Sequence, residues 1–410
     1  MKLLLNKRGF TLTEMLVVMV IFLVIVLVTS ATFETIVNQV SQQQKSAETL
    51  VEGIVGLEVL RGDIKQAGFG LPWTFQAPGP SAALYKEAQI SSDDVPAANF
   101  WPSTPPPGGA SHWITSFNDP PNPPRAVQSA ETLFNHDSDT SSGHGTSHGS
   151  YYLVLKSMLT GSAPAAKKWT NVAYVGGVHT MKNWGDPDRD LSAADRVIVI
   201  KNSLNTTPPT QQLMVGNGVL VTSGTYFARF DNYSSLIQPH QDGDTYEVYG
   251  VDSGDLTMPF NRSDYYVRTP ATGFSPSCAP HTGVLYKASL RHSDGQFTEM
   301  PLLDCVADMQ VVYGLDTSGA GLVNSHTIAS FTSDQIIRSQ LKEIRVYLLS
   351  HEGKKDRGYS YPSRYITVGE NFGGTVQGRV FDLQTLIGGD WQKYRWKVHT
   401  MVVRPKNLIQ

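Results

Sequence analysis

One carboxylate stands out by its position. Glu14 lies inside the apolar run from Phe10 to Val28, which as a helix would reach about 28 Å, close to the ~30 Å hydrocarbon thickness of a bilayer. A lone acid at mid-bilayer costs roughly 2.5–3.5 kcal/mol and is a functional group by default. It requires water at the interface, about one turn away, or a cationic partner. The plainer alternative is a carboxylate that caps the helix start and is stabilised by the helix dipole.

Other groups carry weaker chemistry. Gly145-Thr146-Ser147-His148-Gly149 matches the pattern of a nucleophile elbow, but an elbow needs a strand before it and a helix after it. Here a Ser/Asp/Gly loop precedes and the strand-like Tyr151–Leu155 follows. His136, His144 and His148 share that polar tract without metal-ligand spacing. Asp186, Asp188 and Asp190 alternate like the start of a calcium loop, yet Leu191 and Val197 stand where the motif needs Gly and a bidentate Glu. An exposed acidic turn is expected instead. Arg395, Lys397 and Arg404 interleave with Tyr394 and Trp396, a pattern able to stack and pair with single-stranded nucleic acid, but a strand with one outward face produces it without any ligand. No acid–base pair and no nucleophile constellation emerges. The chain is expected to be no enzyme, with no catalytic residue, no bound metal and no cofactor.

The elements that position Glu14 follow from the hydrophobic pattern. Beyond Val28, Phe33, Ile36, Val37, Val40, Ala47, Leu50, Ile54, Leu57, Leu60 and Ile64 keep a spacing of three and four. No Pro occurs before Pro72, and Gly68, Gly70 and Pro72 provide the stop. This predicts one helix over 10–67, roughly 85 Å long, with 10–30 spanning a membrane and the amphipathic second half packed on a globular head. Lys2, Lys7 and Arg8 flank one side of the span only, the next Lys being Lys45. The positive-inside bias then leaves residues 1–9 in the cytoplasm and the head outside it. There the only two cysteines, Cys278 and Cys305, are free to form one disulfide.

The chain has 410 residues with a formal charge of −3, falling to −6 without Lys2, Lys7 and Arg8. Such a mildly acidic balance excludes bulk nucleic-acid binding. With 36 Gly and 24 Pro, many turns and short strands are expected. Residues 71–125 are rich in Pro and Gly and read as loops draped over the head. From 150 onward strands are expected at 151–156, 196–201, 213–222, 225–230, 244–251, 264–268, 283–291, 306–314, 342–350, 364–368 and 394–404, with a short helix around 333–340.

The order Lys7-Arg8-Gly9-Phe10-Thr11-Leu12-Thr13-Glu14 before an uninterrupted apolar span resembles the class III leader of type IV prepilins and pseudopilins. That resemblance implies cleavage between Gly9 and Phe10 by the prepilin peptidase and N-methylation of Phe10. It also implies retention of the span, and pairing of Glu14 with the amino terminus of a neighbouring subunit. Thr13 departs from the aliphatic residue common at that place. Leu60–Gly68, Val306–Asp316, Leu341–Leu349 and Tyr394–Leu408 are similar to the PilW family of minor pilins, related to J-type minor pseudopilins of type II secretion. The likeness covers the first 70 residues and about the last 110. The absence of Gly and Pro from 10–52 leans toward a minor subunit.

The resemblance implies an α+β, pilin-like lollipop: a long N-terminal helix packed on an antiparallel sheet. Its parts are a leader at 1–9, the helix at 10–67, a β- and loop-rich insertion at 68–280 and a C-terminal sheet domain at 281–410. It further implies an inner-membrane prepilin with a periplasmic head that becomes part of an extracellular type IV pilus, at or near the tip, and primes assembly. Implied partners are other minor and major pilins, the prepilin peptidase, the inner-membrane assembly platform and the membrane itself. Nucleic acid is not among them, and the insertion is a candidate surface for a ligand. The alternatives are a minor pseudopilin of type II secretion and a pilus-borne adhesin or DNA-uptake subunit.

Overall fold

A single helix of 55 residues, α1 (Leu12–Gln66), forms the N-terminal part of the architecture in the computed structural model. The structure describes residues 11–76, 85–89, 113–132, 134–135, 149–203, 210–216, 225–237, 240–270, 272–331 and 333–408. Helix α1 ends where its sequence stops supporting it. The Ala67 amide turns back to the Ile64 carbonyl at 3.2 Å. Gly68 then takes φ +81°, with Leu408 Cδ2 only 2.6 Å from where a Cβ would stand. A residue with a side chain would meet both a left-handed backbone and a filled space.

The strands, in chain order, are β1 (Thr74–Phe75), β2 (Val127–Glu131), β3 (Tyr151–Ser157), β4 (Trp169–Val175), β5 (Val178–Met181), β6 (Arg196–Ser203), β7 (Thr210–Leu213), β8 (Ala228–Arg229) and β9 (Thr245–Asp252). They continue with β10 (Asn261–Arg268), β11 (Gly283–Leu290), β12 (Phe297–Leu315), β13 (Ser325–Thr327), β14 (Leu341–Glu352), β15 (Tyr365–Phe372), β16 (Thr375–Asp382) and β17 (Arg395–Val403). Two short helices, α2 (Asp334–Gln340) and α3 (Leu383–Leu386), stand before β14 and after β16. The large sheet has the order β17-β14-β12-β11-β10-β3-β2, with β13 also on β12. A smaller sheet runs β1-β7-β6-β9-β4-β5, with β8 on β6, and β15–β16 form a separate hairpin. Among the described residues pairing is antiparallel except for β1 with β7. This is an α+β lollipop, an apolar helical stalk joined to a sheet-rich head.

Both faces of the large sheet are covered, which explains strands that read as nearly continuous apolar runs. Met309, Val311 and Tyr313 of β12, with Ile344, Val346 and Leu348 of β14, share a core with Leu60 and Ile64 of α1. The opposite residues Val312, Tyr347 and Leu349 pack under the β15–β16 hairpin with Phe381, Trp391 and Trp396. The smaller sheet is also two-faced. Ile198 and Ile200 join the main core, while Val197 and Val199 pack with Leu236, Ile237 and Val248.

The large sheet takes β2, β3 and β10 from the 68–280 stretch, so a boundary near 280 does not coincide with a boundary between sheets. Where a strand at 225–230 is expected, the chain makes only β8 and then a 3-10 turn over Phe230–Leu236. Of the expected 213–222 strand, β7 reaches only to Leu213, and residues 217–224 lie outside the described ones. Cys278 and Cys305 are joined in a disulfide with Cα atoms 4.9 Å apart. Cys305 stands where the β11–β12 register shifts.

Loops from the Pro-rich stretch are pinned by a buried ionic network. Lys156 Nζ meets Glu87 Oε2 at 2.7 Å and also the Asp119 carboxylate. Arg262 Nη2 pairs with Asp264 Oδ2 at 2.7 Å and Arg262 Nη1 with Glu87 Oε2 at 3.2 Å. Arg125 holds the other side of Asp119. The three cations match three carboxylates, so charges are compensated, the condition for keeping ions out of water.

Candidate assembly site

Glu14 belongs to a capping box that closes the start of α1. Thr11 is the N-cap, in extended conformation, and its hydroxyl accepts the Glu14 amide at 3.3 Å. In return Glu14 Oε2 accepts the Thr11 amide and the Thr11 hydroxyl, each at 2.9 Å. Two amides at the helix end that would otherwise lack partners are thereby satisfied. Both Thr11 donors fall on Oε2, and among the described residues no donor reaches Oε1. Gly9 and Phe10 lie outside the described residues.

The helix that follows is built to be covered by something else. Leu12–Glu34 is long and apolar enough to cross a membrane, and none of it is buried within the chain. The head takes hold further along. Gly53, Gly56, Leu60, Ile64 and Ala67 form a buried stripe at helical spacing. A Cβ on Gly56 would stand 2.1 Å from the Leu302 carbonyl oxygen, and one on Gly53 would stand 3.1 Å from Leu303 Cδ1. The helix backbone therefore lies directly on β12. Fully burying Leu60 and Ile64 in this seam contributes about 1.5–3 kcal/mol each.

An ionic tie completes the joint. Lys287 of β11 meets Asp63 at 2.5 Å, and the Tyr265 hydroxyl donates to the same carboxylate oxygen. Burial pushes the Asp63 carboxyl up in pKa, against the pull of Lys287. At the head's far end of α1, the Lys406 amide donates to the Lys65 carbonyl at 3.1 Å, so the C-terminal segment is fastened to the helix end.

The other candidate chemistry does not assemble among the described residues. Asp186, Asp188 and Asp190 form a self-capped turn. The Asp190 carboxylate accepts the Trp184 amide at 2.8 Å and the Asp186 amide at 3.0 Å, and Asp186 accepts the Asp188 amide. On β17, Arg395 pairs with Asp356 and Lys397 with Glu352, while Tyr394 and Trp396 are buried. Two of the three basic charges are thus compensated, Arg404 being exposed, and the rings are unavailable for stacking on bases. His136, His144 and His148, and the Gly145–His148 part of the elbow-like motif, lie outside the described residues. Cys278, Cys305 and His351 bring three ligand-type atoms within 4.8 Å of one another. Two of them are the bonded sulfurs, and His351 Nε2 accepts the Ala279 amide at 2.8 Å.

Three features of the joint escape a reading of apolar spacing. The glycines at 53 and 56 carry no apolar side chain, and Asp63 and Lys287 are far apart in sequence. The capping box was within reach, because Thr11-Leu12-Thr13-Glu14 has the S/T-x-x-E form.

A capped, exposed apolar stalk, extended by an amphipathic half that lies on an antiparallel sheet, defines the class of type IV pilin-like proteins. Two family models match this chain, at its two ends. The prokaryotic N-terminal methylation motif matches residues 4–30, and the family of the type IV pilus-assembly protein W, PilW, matches residues 264–407. Together they support a PilW-family minor pilin of the type IV pilus. Pilin families are structural rather than catalytic. No curated protein and no solved structure matches the chain.

Proposed function

We propose that this protein is a prepilin cleaved between Gly9 and Phe10 by the prepilin peptidase, N-methylated on Phe10 and incorporated at or near the tip of a type IV pilus, where it primes assembly. Before assembly it is a single-pass inner-membrane protein with a cytoplasmic N-terminus and a periplasmic head. Its partners are other minor and major pilins and the assembly platform. The span leaves the bilayer when its exposed apolar surface is covered by the helices of neighbours, so that lipid contact is exchanged for helix packing.

The observation that carries this reading is the half-used carboxylate of Glu14. In the bilayer the cap on Oε2 lowers the cost of holding the acid one turn inside the boundary. In the fibre Oε1 accepts the positively charged amine of the adjacent subunit while the Thr11 cap stays intact. Such a charge-assisted bond is short and directional, which suits it to fixing axial register. The extreme-tip subunit has no neighbour above it, so retention of Glu14 favours a position below the very tip.

The experiment is a Glu14→Leu exchange at the native locus. Reduced piliation, with the variant retained in the inner membrane, is expected. Normal piliation with normal incorporation of the variant would remove the role given to Glu14. Mass spectrometry of the mature chain is the companion measurement, with methylated Phe10 as the expected terminus. A terminus after Ala31 would mean an ordinary secretory signal and overturn the whole proposal.

A further inference from the structure

The loop between β14 and β15, together with the turn that precedes β17, gathers positive charge on an acidic chain. Residues 352–365 and 388–397 hold seven Lys and Arg against three Asp and Glu, while the whole chain has a formal charge of −3. Four of these cations are paired: Lys355 with Asp390, Arg364 with Asp382, Arg395 with Asp356 and Lys397 with Glu352. Arg357 and Lys393 meet no carboxylate among the described residues. Arg357 is exposed and Lys393 half-buried.

Hydrogen bonds hold this loop in one shape. The Asp356 amide donates to the Lys393 carbonyl at 2.8 Å and the Tyr361 amide to the Gln392 carbonyl at 2.7 Å. Lys393 Nζ donates to the carbonyls of Arg357 and Tyr359 at 3.2 and 3.0 Å. Asp356 Oδ1 accepts the Gly358 amide at 3.0 Å, and the Arg395 guanidinium lies 4.4 Å from the centre of the Tyr359 ring. An ammonium has three donors, so Lys393 keeps one N–H that the fold does not use, and its charge rests against the backbone of Arg357. Tyr359 and Tyr361 are both partly exposed, and neither hydroxyl is hydrogen-bonded among the described residues. A loop already fixed has little ordering left to lose on binding.

Magnitudes separate the anions that such a surface would attract. Lipid headgroups are far away: the apolar span ends at Glu34, and Gly53 is the first buried residue of α1 among those described. Along a helix that separation is about 28 Å, several times the ~8 Å over which salt screens a charge. Nucleic acid carries one charge per ~1.7 Å of duplex, and two unpaired cations displace only about two of its counterions. Base stacking needs an open ring, and one face of Tyr359 is taken by Arg395. A polysaccharide with one carboxylate per sugar is more sparsely charged. Its carboxylates suit a guanidinium fork, and its hydroxyls suit those of tyrosine.

We propose that Arg357 and Lys393 bind a carboxylate-bearing polysaccharide, with Tyr359 and Tyr361 taking its hydroxyls. Arg357 grips one carboxylate through its fork, and the remaining N–H of Lys393 meets the same or the next one. The paired cations around them keep the surface positive without drawing in stray anions. The site stands apart from the assembly role, because its binding is measured on single chains.

The test uses the full chain in an uncharged detergent, with oligomers of a polyuronic acid titrated by calorimetry at low ionic strength. Half-saturation at or below ~1 mM is expected, the range that two charge-assisted contacts support. Arg357→Gln should weaken binding at least about tenfold, and Arg357→Glu should abolish it. The Arg357 side chain makes no bond within the fold, so both variants should melt like the parent protein. Arg404→Gln removes the same charge from an exposed position at the other end of β17, and should leave binding unchanged. No binding of the uronic-acid oligomers, or equal binding of neutral dextran, would overturn the proposal. So would an Arg404→Gln variant weakened as much as Arg357→Gln, which would mean net charge alone, or tighter binding of duplex DNA than of the oligomers.

Discussion

Replacing Arg262 by Met should loosen the head in one defined place. Arg262 is fully buried and uses all of its donor groups. Nε and Nη2 form a fork on Asp264 at 2.8 and 2.7 Å. Nη1 reaches Asn118 Oδ1 at 2.8 Å and Glu87 Oε2 at 3.2 Å, and Nη2 also reaches the Ile114 carbonyl at 3.1 Å. The Met side chain fills much of the aliphatic volume but restores none of these bonds. Asp264 is left with the Tyr152 hydroxyl at 2.6 Å, and Glu87 with Lys156. Removing one member of a buried ionic set typically costs 3–5 kcal/mol, because the remaining charges are uncompensated. At roughly 2 °C per kcal/mol for a domain of this size, the melting temperature should fall by about 6–10 °C. Arg262→Lys keeps the charge but not the fork, and should recover only part of the loss. Circular dichroism on the full chain gives the melting curve. Hydrogen exchange gives the location, since segments 85–89 and 113–119 are held by this network and should lose protection before β12 and β14. A variant that melts within about 1 °C of the parent would refute the account. Protection lost evenly over the sheet would do the same.

Two further expectations concern the joint and the pH response. Gly56→Val should push α1 off β12, because the new Cβ would collide with the Leu302 carbonyl oxygen at 2.1 Å. A loss of about 1–3 kcal/mol is expected, read by denaturant unfolding, while Gly62→Ala, with nothing within 4 Å of the new Cβ, should not destabilise. Burial holds the His351 pKa down to about 4 from its usual 6.5. Between those values the unfolded chain binds the proton and the folded chain does not, so stability should fall as pH drops from about 6.5 to about 4. The depression corresponds to about 3 kcal/mol, and His351→Gln should flatten that part of the stability–pH curve. An unchanged slope in the variant would show that other groups cause it.

How much of this could be read from the chain depends on the range of the interactions. Helix α1 was legible from end to end because its apolar spacing and its stop residues are local. The β14 and β17 strands and the second half of β12 were legible for the same reason, being β-branched and bounded by turns, whereas Phe297–Cys305 of β12 was not expected to be strand. The short β2, Val-Gln-Ser-Ala-Glu, carries no alternation of apolar residues, yet Val127, Gln128 and Ser129 are all buried. Lys156 and Arg262 look like outward-facing strand residues until their partners are known. Those partners lie 37 residues away for Lys156 with Asp119 and 175 away for Arg262 with Glu87. At the candidate site, Glu14 was conspicuous as a charge in an apolar run. The joint at Gly53 and Gly56 was not, because a glycine reveals a close approach only once the approaching group is known.

That joint also decides how the protein behaves as a mechanical part. Part of any pull delivered along α1 reaches the head where the helix backbone at Gly56 rests on the Leu302 carbonyl. No side chain lies between them to stretch or swing. Three residues further on, Cys305 is bonded to Cys278, and β12 is hydrogen-bonded to β11 over Phe297–Val306 and to β14 over Val306–Leu315. Tension is therefore passed sideways into many parallel hydrogen bonds loaded together, where no single one has to fail first. The stalk and the head meet as a rigid coupling, so a force applied at one end moves the other with little delay or slack.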